Sequence, residues 1–178
     1  MGTEHNETAT AYNNIGSIFR KQGDYANALR YFQKALCIWE QVLKTDSPLI
    51  ASSYNNIGSV YRKQGKYVSA LECLQKALHM RKKTLGPKHP DVASSYNNIG
   101  SIYWEQSDYS SALEYFQKAL WIDEETLGTN HYKTAIDYNN IGLVYNKQGD
   151  YAKALEYLRS ALRIDEKKHC QQLRLQIY

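Results

Sequence analysis

Apolar and polar positions along this chain follow a helical period nested inside a much longer one. From Tyr12, apolar or small residues fall at Tyr12, Ile15, Gly16 and Phe19, spaced i, i+3, i+4 and i+7 on one helical face. A second run, Tyr-x-x-Ala-Leu-x-x-x-x-x-Ala-Leu, starts at Tyr25 and places Ala28, Leu29, Ala35 and Leu36 on another single stripe. The pair then recurs, because Tyr-Asn-Asn-Ile-Gly begins at Tyr12, Tyr54, Tyr96 and Tyr138, in equal steps of about 42 residues. Each copy has an aromatic three residues after its glycine (Phe19, Tyr61, Tyr103, Tyr145) and a turn at Gly23-Asp24, Gly65-Lys66, Ser107-Asp108 or Gly149-Asp150.

The links between copies carry stop and start signals. Leu85-Gly86-Pro87-Lys88-His89-Pro90 places a glycine where a helix ends and a proline where the next begins. Leu127-Gly128-Thr129-Asn130-His131 keeps the glycine and histidine, and Leu43-Lys44-Thr45-Asp46-Ser47-Pro48 keeps only the proline. The pattern predicts helices near 8–22, 25–44, 49–64, 67–85, 91–106, 109–127, 132–148 and 151–168. In each first helix the glycine is a packing position, where the neighbouring helix comes close.

The spacing of Tyr12, Ile15, Gly16, Phe19, Gly23, Tyr25, Ala28, Phe32 and Ala35 resembles the tetratricopeptide repeat signature. The long period, with Leu85-Gly86-x-x-His89-Pro90-x-Val92-Ala93, is similar to the kinesin light chain subtype, whose second helices are extended; the heptad segment of that protein is missing here. The resemblance implies an all-α solenoid, a right-handed superhelix of four helix-turn-helix repeats. Its repeats would lie at about 8–48, 49–90, 91–131 and 132–170, forming one domain over 1–170 with a capping or tail segment at 171–178.

Composition narrows the class further. Over 178 residues the hydrophobic share of 43% supports a buried core, and a net charge of +4 is too mild and unclustered for a protein that lives on phosphates. No run of eighteen apolar residues and no secretion signal is present, so a cytoplasmic protein without membrane contact is expected. Cys37, Cys73 and Cys170 form no CxxC pair and read as reduced thiols. There is no nucleophile elbow, phosphate loop or HExxH helix, and so no enzyme, cofactor, metal or nucleic-acid function is expected. His89 and His131 read as helix caps, and Asp123, Glu124 and Glu125 as solvated surface charge.

In the resembling family the first helices line the concave surface. A turn of about 100° per residue places Thr10, Asn14, Ser17 and Lys21 opposite the apolar face of the first copy. Ser52, Asn56, Ser59 and Lys63 follow in the second, Ser94, Asn98, Ser101 and Glu105 in the third, and Ile136, Asn140, Leu143 and Lys147 in the fourth. Asn14, Asn56, Asn98 and Asn140 then form a row whose amides both donate and accept, which suits the main chain of an extended peptide. Their span of about 30 Å corresponds to roughly nine extended residues. Asn13, Asn55, Asn97 and Asn139 point toward the neighbouring repeat, as structural or ligand-contacting groups. Arg20, Lys21, Arg62 and Lys63 make a basic end that suits an acidic peptide, interrupted by Glu105 and Asp108 before Lys147. Trp104 stands at the groove edge as an apolar anchor, whereas Trp39 and Trp121, on second helices, read as packing residues.

The expected function is therefore a protein interaction module that binds a linear peptide. The competing readings are a spacer or self-associating array, joined through the apolar tail at Leu173, Leu175, Ile177 and Tyr178, or one piece of a larger multidomain protein with an enzymatic or signalling domain elsewhere.

Overall fold

The computed structural model describes the backbone of residues 2–43 and 46–177 and the side chains of residues 5–43 and 46–167. Among the described residues the regular structure is all helical: α1 Gly2–Lys21, α2 Tyr25–Val42, α3 Pro48–Lys63, α4 Tyr67–Leu85, α5 Pro90–Glu105, α6 Tyr109–Leu127, α7 Tyr132–Gln148 and α8 Tyr151–Ile177. The eight expected helices are present. The largest departures are at the ends, where α1 starts at Gly2 instead of near residue 8 and α8 runs to Ile177 instead of stopping near 168. No glycine or proline lies between Tyr151 and Ile177 to end α8, so the backbone of the expected tail continues the last helix. The tail side chains, and Cys170 with them, lie outside the described residues.

Two compact units divide the chain, Met1–Pro87 and Lys88–Tyr178, each containing two helix pairs. In the first, α1 packs on α2 and α3 on α4, and α3 also lies against α2. The second repeats this with α5 on α6, α7 on α8, and α7 against α6. Cores form where three helices meet: Ala28, Phe32, Ile57 and Val60 in the first unit, and Ala112, Phe116, Leu120, Ile141 and Val144 in the second.

The glycine of each first helix sets the approach of its partner. A Cβ at Gly100 would lie 2.8 Å from the Phe116 ring, and one at Gly142 would lie 2.8 Å from Leu158. Only a hydrogen fits there. The aromatic residues fill the rest of each pair: Phe19 stacks on Tyr31 at 5.4 Å, Tyr103 on Tyr115 at 5.4 Å and Tyr145 on Tyr157 at 5.6 Å. Repeat two has Cys73 at the same place, and burial pushes its thiol up.

Helix starts are fixed by side chains that accept from otherwise orphaned backbone N–H groups. Asp24 accepts from Asn27 at 3.0 Å and Asp108 from Ser111 at 3.1 Å. His89 Nδ1 accepts from the Asp91 N–H at 3.1 Å and His131 Nδ1 from the Lys133 N–H at 3.2 Å, which makes both histidines caps.

Three sequence expectations are corrected. Ile15 is exposed, although Ile57, Ile99 and Ile141 at the same repeat position are buried; Ile57 packs against Ala28 and Phe32 of α2, and Ile141 against Phe116 of α6. Trp121 is 50% exposed, with Lys88 Nζ 4.7 Å from its ring centroid, so it is not a packing residue as Trp39 is. Asp123 is not solvated surface charge, since only 2% of it is exposed.

Candidate functional site

The polar face of each first helix is best described unit by unit. In the first unit, Asn14 is exposed on α1 and Asn56 is half-buried on α3. The Asn56 Nδ2 donates to Asn13 Oδ1 at 3.0 Å, so the two asparagine rows are bonded across consecutive repeats. Arg20 is half-buried and its Nη1 reaches Ser59 Oγ at 3.4 Å; Lys21 and Lys63 are exposed, and Arg62 is half-buried with a partner of its own. Arg20 is thus held by the α3 face.

In the second unit Asn98 and Asn140 are half-buried on α5 and α7, and Lys147 is exposed near the end of α7. Trp104 is half-buried at the rim of the core, edge-on to Tyr109 with ring centroids 5.3 Å apart. Its contacts are partly taken within the repeat. Asn98 lines a cavity of about 250 Å³ between α5, α6 and α7, together with Ser94, Asn97, Asp123, Lys133 and Ile136. Another cavity, of about 660 Å³, opens in the first unit between α2, α3 and α4 at Ile50, Tyr54, His79 and Met80, away from the asparagines.

Residues 7–83, 49–125 and 112–167 match the tetratricopeptide repeat family model. The chain belongs to the tetratricopeptide repeat family. Proteins with such repeats generally mediate protein–protein interactions and are typically non-enzymatic scaffolds. No curated protein matches the sequence. Solved structures that resemble this tetratricopeptide array include BtubC (BKLC) of P. vanneervenii, at a TM-score of 0.82 and 24% identity over 90% of this chain and 64% of that one. The chain thus spans less than two thirds of BtubC. A candidate kinesin light chain of Podosopora anserina with nearly identical TPR-like repeats follows at 0.72 and 19% identity, over 90% of this chain and 76% of its own. MamA gives 0.65 and 23% identity, over 90% of this chain and 80% of its own. These likenesses show the fold, an all-α helical-repeat solenoid with kinesin light chain-like neighbours.

One feature of the second unit escapes the sequence pattern. Asp123 and Asp137 are 2% and 0% exposed, and Asn97 Nδ2 donates to Asp137 Oδ1. Burial above all, and then the charge of Asp123, push the Asp137 carboxyl up to about 7, against the bond from Asn97, which favours the ionised form. Burial raises Asp123 as well, opposed by Lys133. A signal for this was present: Asp137 stands where the earlier copies have Ser53 and Ser95, and Asp123 where they have Trp39 and Arg81. Both acids thus stand at positions that the other copies bury.

Proposed function

We propose that this tetratricopeptide array is a non-enzymatic receptor for an extended peptide, gripped by its main chain through Asn14 and Asn56 in the first unit and Asn98 and Asn140 in the second. The observation that supports the reading most is the Asn56–Asn13 bond of 3.0 Å, which fixes the orientation of one asparagine amide before any ligand arrives. Its Oδ1 then accepts a main-chain N–H, and exposed Asn14 offers both amide functions. Arg20, Lys21, Arg62 and Lys63 favour acidic side chains on the segment at the first unit, Lys147 adds positive charge in the second, and Trp104 provides an apolar edge there. Cys37 and Cys73 are free thiols, which suits a reducing compartment such as the cytoplasm.

Peptides selected against the chain from a random display library test this. Two lost hydrogen bonds are worth about 2–3 kcal/mol, so Asn14→Ala with Asn56→Ala is expected to weaken binding to the first unit by roughly 30- to 150-fold. Unchanged affinity by calorimetry, in this pair and in Asn98→Ala with Asn140→Ala, would remove the asparagine reading.

A further inference from the structure

The junction inside each unit buries one set of residues against another. Ile57 and Val60 of α3 share an apolar cluster with Tyr25, Leu29 and Leu36 of α2, and Ile141 and Val144 of α7 share one with Tyr109, Leu113 and Leu120 of α6. Both halves of this junction recur on the chain uncovered. On α1 the counterparts of Ile57 and Val60 are Ile15 and Ile18, and on α8 the counterparts of Tyr25, Leu29 and Leu36 are Tyr151, Leu155 and Leu162. All five are exposed: Ile18 by 56% where Val60 and Val144 are 0%, and Leu162 by 55% where Leu120 is 7%. Repeat arrays ordinarily end on a polar face. Here Tyr151, Leu155 and Leu162, at i, i+4 and i+11, form an apolar stripe instead.

The polar bonds that cross the inner junctions have exposed counterparts too. Asn13 Oδ1 accepts from Asn56 of α3 at 3.0 Å, and Asn97 donates to Asp137 of α7, so in both units this asparagine position bonds to the following first helix. Its counterpart on α7, Asn139, is exposed and lines a cavity of about 360 Å³ between α7 and α8 with Ile136, Leu158, Ala161 and Leu162. The corresponding place beside α1 and α2 is where α3 lies. Tyr54 Oη donates to Glu40 at 2.9 Å across the α2–α3 junction, and Tyr138 Oη donates to Glu124 across the α6–α7 junction. Glu166, the α8 counterpart of those acids, is exposed, and Tyr12 on α1 is the counterpart of those tyrosines. The α7–α8 cavity therefore has the residues of an inner junction's floor, and α1 carries the residues that cover one.

We propose that α1 of a second copy of this chain seats on α7 and α8, as α3 seats on α2 and α7 on α6. Ile15 and Ile18 of the incoming copy cover Leu155, Leu162 and the cavity between α7 and α8. Asn14 donates to Asn139 as Asn56 does to Asn13, and Tyr12 donates to Glu166 as Tyr54 does to Glu40. A second copy is the occupant because the two uncovered faces are the two halves of one junction, carried on one chain. Such a contact is heterologous: each added copy covers one α8 face and brings another, so assembly proceeds head to tail beyond the dimer. The bond uses the amide nitrogen of Asn14 and leaves its Oδ1 open, so the contact does not depend on whether a peptide is gripped.

Sedimentation velocity of the full chain from about 1 µM to about 1 mM tests this. The natural chain is expected to gain mass with concentration, past the dimer. Ile15→Glu with Ile18→Glu spoils the α1 face, and Leu155→Glu with Leu162→Glu spoils the α8 face. All four side chains are exposed, so each variant keeps the natural helix content by circular dichroism. Each variant alone is expected to associate at least about 100-fold more weakly than the natural chain, because two aliphatic side chains to be covered have become two charges. Mixed, the two variants are expected to form a one-to-one dimer that grows no further, since each supplies the face the other has lost. A natural chain that stays monomeric throughout overturns the proposal and leaves the seat to a different protein. Association that survives in either variant alone, or a mixture that forms no dimer, overturns it as well. No peptide is present and the variants keep Asn14, Asn56, Asn98 and Asn140, so this contact and the asparagine grip stand or fail separately.

Discussion

Asp137→Ser is expected to raise the stability of the chain at about pH 8 by about 2–4 kcal/mol. The carboxyl titrates at about 7 in the folded chain because burial disfavours its charge, against about 3.9 when unfolded. A folded state that binds the proton more tightly is most stable at low pH. Stability contributed by this group falls as pH rises from about 4 to about 7, and above that the ionised pair Asp123 and Asp137 is carried at full cost. Serine suits the position, since Ser53 Oγ donates to the Leu49 carbonyl at 3.1 Å and Ser95 Oγ to the Asp91 carbonyl at 3.0 Å, and the introduced hydroxyl has the Lys133 carbonyl four residues back. Asn97, no longer donating to Asp137, can then turn its amide to accept from Asn140 as Asn13 accepts from Asn56. Urea denaturation at several pH values checks this: the gain shrinks steadily as pH is lowered and vanishes near pH 4. A gain independent of pH, or a loss at pH 8, would show that Asp137 is not held out of its ordinary ionisation.

The second large effect concerns the meeting of α5 and α6. Gly100→Val is expected to cost about 3 kcal/mol, because its Cβ alone would lie 2.8 Å from two atoms of the Phe116 ring, with two further methyl groups behind it. The ring is 3% exposed and is enclosed by Ala112, Leu120, Ile141 and Val144, which leaves it nowhere to turn. Phe116→Ala alone costs about 3–5 kcal/mol by leaving a cavity. The double variant fills that cavity with the new methyl groups and is therefore expected to lose clearly less than the sum of the two. Thermal denaturation of the three variants measures the difference; strict additivity would mean that glycine and ring do not share the space.

The repeat made most of this fold legible. A fixed step between identical Tyr-Asn-Asn-Ile-Gly segments located every helix pair, and the glycine or proline in each link placed their boundaries to within a few residues in the middle of the chain. The errors lie where repetition gives no guidance. The spacing of Tyr12, Ile15, Gly16 and Phe19 puts Ile15 on an apolar face, but burial of that face depends on a neighbouring helix packing there, as α2 does on Ile57 and α6 on Ile141. The repeat pattern ends α8 near residue 168, although the residues beyond Arg163 contain nothing that breaks a helix. Asp123 reads with Glu124 and Glu125 as surface charge because a run of acids ordinarily faces water; its burial follows from the α6–α7 packing, at a position where Trp39 is also buried. The site is legible to a different degree. Periodicity identifies the polar face of the first helices, but the bonds from Asn56 to Asn13 and from Asn97 to Asp137 depend on side-chain directions across repeats that a linear pattern does not contain.

The main-chain grip is tested most directly by replacing, one at a time, the amides of a selected peptide with esters, which removes an N–H and leaves every side chain in place. Against the natural chain, an ester at a gripped position is predicted to weaken binding about tenfold, the value of one hydrogen bond of about 1.4 kcal/mol. Against Asn56→Ala or Asn98→Ala, the ester at the matching position is predicted to cost nothing further. Equal losses in the natural chain and the variants, or binding indifferent to every ester, would contradict a receptor that reads the peptide backbone through its asparagines.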